Sequence, residues 1–339
     1  VTSGWAAAPT NPPLRLDQLL DSVAENHPEL RARTAEFEGD QAQERTAFSL
    51  ANTSVYYQFD QNNLTESGAA LKVFGMSQEF EAPSVYLARA KALKASTKLS
   101  AFELKTLENA VFQAVGKTYY NYLHTVHELQ LYQKLSATYT DAARRAQRQY
   151  DLGQITVLEK LRLQSKADEV TLEQGRIEAL QAQYVHALAW ALSTEGEVAV
   201  VDDFEELYLF DEADDRSEVA LQQAEAAVDQ RAAALTLARQ GMLPGVALEL
   251  FRGREPGSLD QTYDGIQASL NIPLFNRSKR AAVARSKSDL EASKIRAASV
   301  ARLLEQKRAD LERLQQVYLD FVLQYRSSGQ QSFAKTLDT

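Results

Sequence analysis

His124 and His127 stand three residues apart, a spacing that puts two imidazoles on one helix face, where they could hold a metal ion. The chain has only four histidines and no cysteine, and no carboxylate cluster accompanies the pair, so packing or surface roles are favoured for both. Phosphate binding would need a glycine-rich loop, acyl transfer a Gly-x-Ser-x-Gly elbow, and acid-base hydrolysis a pair of carboxylates in a cleft. None of these is written in the chain. No catalytic, cofactor-binding or metal-binding residue is therefore assigned, and the expected function is not that of an enzyme.

The remaining chemistry is that of surfaces. Lysine and arginine total 37 against 46 aspartate and glutamate, a formal net charge of -9, which argues against nucleic acid as a partner because phosphates need a basic face. The charges are interspersed, as on the solvated sides of helices. Mean hydropathy is -0.36, and no window reaches the ~18 uninterrupted apolar residues of a spanning helix, so contact with a bilayer would have to be made by strands. With no cysteine there are no disulfides and no lipid-modified N-terminal cysteine. Residues 1–13 read as a flexible Ala/Pro/Thr-rich leader without the basic and apolar segments of a signal peptide.

Leu16, Leu19, Leu20 and Val23 repeat at helical spacing, and His27-Pro28 separates this helix from a second that runs to about Leu50. The period then changes to two. Val55, Tyr57 and Phe59 alternate with Tyr56, Gln58 and Asp60, predicting a strand over about 53–60, and 71–80 alternates again with Phe74, Met76 and Phe80 on one side, after a turn near Thr65 to Gly68. From Ser84 to Gln149 there is no proline and one glycine, Gly116, and the stripe Val111, Val115, Tyr119, Tyr122, Val126, Leu129 marks one helix of ~100 Å at 1.5 Å per residue. A Tyr-Asp-Leu-Gly turn ends at Gly153, and a second long helix starts near Ile155 and runs to about Leu192. Its stripe is Leu163, Ala167, Val170, Ile177, Leu180, Tyr184 and Ala187. Two such helices joined by a short turn form an antiparallel coiled-coil hairpin over 84–192.

Residues 195–216 read as an acidic connector with an apolar patch at Phe204, Leu207, Tyr208, Leu209 and Phe210. A helix from Ser217 to about Gln240 follows, then strands over about 246–252 and 262–272 separated by a loop from Arg252 to Asp260, then a long helix over 277–339. The order helix, strand, strand, long helix thus occurs twice, dividing the chain into repeats at 14–194 and 217–339. Local strings agree: Leu87 to Ser96 resembles Val283 to Ser293, and Lys117 to Leu123 resembles Gln316 to Val322. The fold class is mainly α with a small β part.

Strands of about ten residues are long enough to cross a bilayer at a tilt, but four of them are too few to close a barrel. Open edges in hydrocarbon leave backbone groups unpaired at several kcal/mol each, so neighbouring copies must complete the cylinder. In that arrangement Val55, Tyr57, Phe59, Ile266, Ala268, Leu270 and Ile272 face lipid. Tyr56, Gln58, Asp60, Gln267, Ser269 and Asn271 are the candidate pore-facing residues. A small soluble sheet capping a helical bundle is the plainer alternative.

Several strings resemble the TolC family of outer-membrane factors, including its heavy-metal branch typified by CusC and CzcC. They are Asn26-His27-Pro28-Glu29-Leu30-Arg31, Met76-Ser77-Gln78-Glu79-Phe80 with Pro83, Leu243-Pro244, Asn271-Ile272-Pro273-Leu274-Phe275 and, above all, Tyr150 to Gln164 between the two long helices. The resemblance implies a homotrimer with a transmembrane β-barrel in the outer membrane of a Gram-negative bacterium and an α-helical barrel crossing the periplasm. Its implied partners are outer-membrane lipid, a periplasmic adaptor and an inner-membrane pump of the RND type. It implies that the hairpin tip, Tyr150, Asp151, Leu152, Gly153, Gln154, Ile155 and Thr156, docks onto the adaptor. Gly153 suits a reversal at positive φ, and Leu152 and Ile155, read as exposed, offer an apolar contact. A plain helix-turn-helix connection would use the same glycine. Gly153 lies 70 residues after Pro83 (153 − 83), and the same step from Pro273 places the second tip near 343, beyond Thr339. The second repeat therefore reads as incomplete, the chain as C-terminally truncated, and the pore-constricting positions that the resemblance implies lie outside it. The competing function is a soluble coiled-coil scaffold or tether, which should lack the four alternating segments.

Overall fold

The computed structural model describes residues 13–64, 70–194, 199–201, 216–255, 261–273 and 275–324. The elements in chain order are α1 (Leu16–Asn26), α2 (Pro28–Glu44), β1 (Ser54–Leu64), β2 (Ala70–Phe80), α3 (Pro83–Asp151), α4 (Val157–Ala191), α5 (Arg216–Gln240), β3 (Gly245–Glu255), β4 (Gln261–Asn271) and α6 (Arg277–Gln324). The sequence helix, strand, strand, long helix is therefore present twice, as α2-β1-β2-α3 and α5-β3-β4-α6. No helix among the described residues is long and apolar enough to cross a membrane. Four strands where a scaffold should have none count against the tether reading.

The chain forms two compact units, one of Val1–Glu36 with Leu104–Asp214 and the other of Phe37–Glu103 with Asp215–Thr339. In the first, the predicted α1 stripe meets the first part of the α3 stripe against residues of α4 that lie outside its predicted stripe. Leu16, Leu19 and Val23 of α1, Leu30 of α2, Val111, Val115, Tyr119 and Leu123 of α3 and Leu188 and Ala191 of α4 make one buried cluster. Tyr119 is fully buried, and its hydroxyl donates to the Val201 carbonyl at 3.2 Å, so the large ring brings no unsatisfied polar atom into the core. Tyr122, Val126 and Leu129 sit at the margin of this stripe and are half-buried, whereas His124 and His127 are both exposed. Pro28 occupies the first position of α2, where its missing N–H costs nothing, and buried His27 packs edge-on against Trp190 at 5.1 Å. Further along α4, Lys166 feels Tyr139 and Tyr132, and Arg176 feels Glu128 and Tyr132, neighbours that an antiparallel α3–α4 hairpin brings together.

The second unit holds a four-stranded antiparallel sheet in the order β1-β2-β3-β4, with α5 packed on α6. Asn276 caps α6 by accepting from the Lys279 amide at 3.0 Å. Beyond Ser293 no described residue of the helix is fully buried, and Leu311, Leu314, Tyr318 and Phe321 are exposed.

Boundaries differ from expectation at several points. Helix α2 stops at Glu44 instead of running to Leu50, because Thr46, Ala47 and Ser49 donate three residues back in tight turns. Helix α4 begins at Val157, not Ile155, because Thr156 caps it. The stretch from Gly253 to Glu255, expected in a loop, is part of β3 and pairs with β4 as far as Gln261. The strand persists there because the Arg252 guanidinium forks onto Asp264 across the pair, at 2.6 and 2.9 Å. Strand β4 ends at Asn271, leaving Ile272 just outside it. The leader up to residue 12, the turn at 65–68, the patch from Phe204 to Phe210 and the helical segment after Gln324 lie outside the described residues.

Candidate functional site

Two regions carry the surfaces singled out in the sequence, and each is built by its own local rules. In the sheet, cross-strand partners share a face, so the register sorts every side chain. Tyr56 opposes Gly75, Gly75 opposes Phe251, and Phe251 opposes Gly265. By the same pairing, Gln58 and Asp60 lie on the Tyr56 face with Ser77, Glu79, Glu249, Gln267, Ser269 and Asn271. All six residues expected to face the pore therefore stand together on one side. The opposite side gathers Val55, Tyr57, Phe59, Phe74, Met76, Phe80, Val246, Leu248, Leu250, Ile266, Ala268 and Leu270 into one apolar band. That band is open, with Ile266 79 % and Tyr57 62 % exposed.

The polar face contains a packing device that strand-by-strand reading missed. A Cβ on Gly75 would collide with the Tyr56 ring, one on Gly253 with the Tyr263 ring, and one on Gly265 with the Phe251 ring. In each case the aromatic residue is the glycine's direct cross-strand partner and lies flat across it. Phe251 and Tyr263 meet edge to face at 6.3 Å. The Tyr56 hydroxyl bonds the Glu249 carboxylate two strands away. The signal was an isolated glycine in an alternating run, which marks a close approach but does not name the partner.

At the helical tip the chain reverses through a Schellman turn. Gly153 has φ +71°, its amide donates to the Tyr150 carbonyl at 2.9 Å, and the Gln154 amide donates to Gln149 at 2.8 Å. The returning helix starts with a capping box: Thr156 Oγ1 accepts from the Glu159 amide at 3.3 Å, and Glu159 accepts from the Thr156 amide at 2.8 Å. These bonds from the Thr156 backbone and side chain hold the Glu159 carboxyl below the usual carboxylate range. Asp151 accepts from the Gln147 side chain at 2.8 Å, and Lys160 lies over the Tyr150 ring at 4.9 Å.

Leu152 is 72 % exposed, as expected, but Ile155 is half-buried, because the capped turn folds it back toward the helix ends. The apolar surface is completed by Val157, Leu158 and Leu161 on the first turns of α4, all exposed and all missed in the sequence. The capping pattern Thr156-x-x-Glu159 would have located them.

No protein-family model and no curated protein sequence matches the chain. Solved structures do. VceC, an outer-membrane protein of Vibrio cholerae, matches with TM-score 0.73 and 13 % identity, over 94 % of this chain and 83 % of its own. The MtrE outer-membrane channel of Neisseria gonorrhoeae in its open state matches with TM-score 0.70 and 16 % identity, over 95 % and 79 %. CusC, described in terms of folding and transmembrane channel formation, matches with TM-score 0.68 and 17 % identity, over 100 % and 82 %. One long helical hairpin, a second long helix pair, four strands of this order and likeness along nearly the whole chain together give it the fold of the TolC-like outer-membrane channels.

Proposed function

We propose that three copies of this chain close a β-barrel in the outer membrane of a Gram-negative bacterium and form a passive efflux duct reaching into the periplasm. Three copies of four strands supply twelve (3 × 4). The carrying observation is the sheet itself. Each strand is 11 residues long, enough to span a bilayer at a tilt, one face is an open apolar band, and among the described residues β1 and β4 each have a strand on one side only. A lone sheet of this kind would present unpaired N–H and C=O groups to hydrocarbon at several kcal/mol each, a cost that neighbouring copies remove.

The fold's other holders are described as outer-membrane channels, which supports the placement. Small molecules or metal ions would be the cargo, driven by an RND-type inner-membrane pump through a periplasmic adaptor. The heavy-metal branch rests on the sequence strings alone, since the likeness to CusC stands beside equal likenesses to other channels. Docking of the adaptor falls to the tip from Tyr150 to Thr156, extended by Val157, Leu158 and Leu161, where a small apolar patch on a rigid turn suits a partner helix.

In cells, Leu152→Asp is expected to abolish export while trimers still assemble; unchanged export would remove the tip from the docking role. For the duct, the full chain in lipid bilayers is expected to form trimers and conduct. A monodisperse monomer that never inserts would contradict the reading.

A further inference from the structure

The polar face of the sheet carries three aromatic rings laid down as a floor. Tyr56, Phe251 and Tyr263 each lie flat across a cross-strand glycine, so one side of each ring rests on backbone and the other is turned away from the sheet. None of the three is buried, and Tyr263 is 38 % exposed. A side chain at position 75, 253 or 265 would lift the ring off the strands, so the glycines are what turn ring faces outward.

Glu249 stands on the same face two residues before Phe251, about 7 Å away along β3. The Tyr56 hydroxyl reaches its Oε1 across Gly75, and this uncharged donor leaves the charge of the carboxylate in place. No ion pair engages Glu249 among the described residues. The register puts no lysine or arginine on this face, since Lys72, Arg252 and Arg254 all belong to the apolar side.

An aromatic face attracts a cation through the ring quadrupole, most effectively where water is displaced from both. A small ion such as potassium holds its water too firmly to gain there, whereas a quaternary ammonium group presents its charge through methyl groups and can lie on the rings. A carboxylate alone would draw every cation alike and would be screened by salt. Rings and carboxylate together select the organic ion.

We propose that Glu249 and the ring faces of Tyr56, Phe251 and Tyr263 form a binding site for organic cations, quaternary ammonium compounds bearing an aryl group, on the lumen side of the barrel. The site rests on the duct reading and names a class of cargo held on its way through.

The test measures binding of benzyltrimethylammonium, benzyl alcohol and benzenesulfonate to nanodisc-embedded trimers of the full chain by calorimetry, with empty nanodiscs subtracted. Potassium chloride is kept at about 0.15 M to screen attraction by charge alone. Wild type is expected to bind the cation about thirtyfold more tightly than the alcohol, and the sulfonate more weakly still. E249Q keeps an acceptor for the Tyr56 hydroxyl and is expected to lose about tenfold on the cation and nothing on the alcohol, and Y263L to lose about fivefold on the cation. Equal binding of cation and alcohol by wild type, or full cation binding in either variant, would overturn the site, and the first comparison stands even if a variant misfolds. Trimers that insert and conduct without preferring the cation would overturn the site alone. A chain that neither inserts nor conducts would overturn the duct reading, and the lumen site with it.

Discussion

The helical core around Tyr119 and the apolar face of the sheet are built from the same kinds of side chain, yet one is closed and the other open. Leu19, Val23 and Tyr119 have no exposed surface, whereas Val55, Tyr57, Ile266 and Leu270 are each more than half exposed. In the first case the chain supplies its own partners, and each buried side chain of this size contributes ~1.5–3 kcal/mol. In the second the described residues supply none. The sheet's twelve-residue apolar band far exceeds the scattered exposed side chains of a soluble surface, and it is the face that the proposed barrel would turn to lipid.

Truncation separates the two regions most strongly in the core. Tyr119→Ala removes a fully buried ring and strands the Val201 carbonyl, so a loss of ~3–5 kcal/mol is expected in the thermal unfolding of the helical unit. The next effect sharpens the contrast between the faces of the sheet. Leu250→Arg places a charge in the apolar band and is expected to cost ~2–4 kcal/mol of membrane stability, read as lost insertion into vesicles. Gln267→Arg, on the opposite face, should insert like wild type; equal loss in both would erase the distinction. Gly75→Ala drives a methyl into the Tyr56 ring and should cost ~1–3 kcal/mol in folding, with Tyr56→Ala in the same chain recovering part of it.

The smallest effect belongs to the tip. Glu159 is held below its ordinary pKa, so its contribution to the cap is complete above the usual carboxylate range and is lost as pH falls through the lowered value. Amide exchange at the start of α4 should accelerate on acidification in wild type, and Glu159→Gln should abolish that pH dependence.

How far the sequence announced this structure depended on whether a feature is local. The two-residue alternation of Val55 to Phe59 and of Ile266 to Leu270 fixes which side chains share a face, and all six polar residues predicted from it stand together. Helix α3 was equally legible, since a proline-free run with a three-four stripe has no other regular conformation. What escaped needs the neighbouring strand. Gly253 reads as loop punctuation until Tyr263 is placed across it, and Arg252 reads as the end of a strand until Asp264 stands opposite. At the tip the signal was local but unread: Thr156 and Glu159 form a capping box, which moves the start of α4 to Val157 and folds Ile155 inward.

The central claim is that β1 of one copy completes the sheet of another at β4, and cysteine cross-linking tests it most directly because the chain has no cysteine of its own. Within one sheet β1 and β4 are three strand spacings apart, roughly 14 Å, which is beyond the ~7 Å Cα separation that a disulfide can bridge. Tyr57→Cys on β1, combined in turn with a cysteine at each position from Ile266 to Leu270 on β4, is predicted to give covalent trimers of the membrane-embedded full chain in at least one register. Membrane-inserted chains that remain monomeric under oxidation in every register would contradict the account.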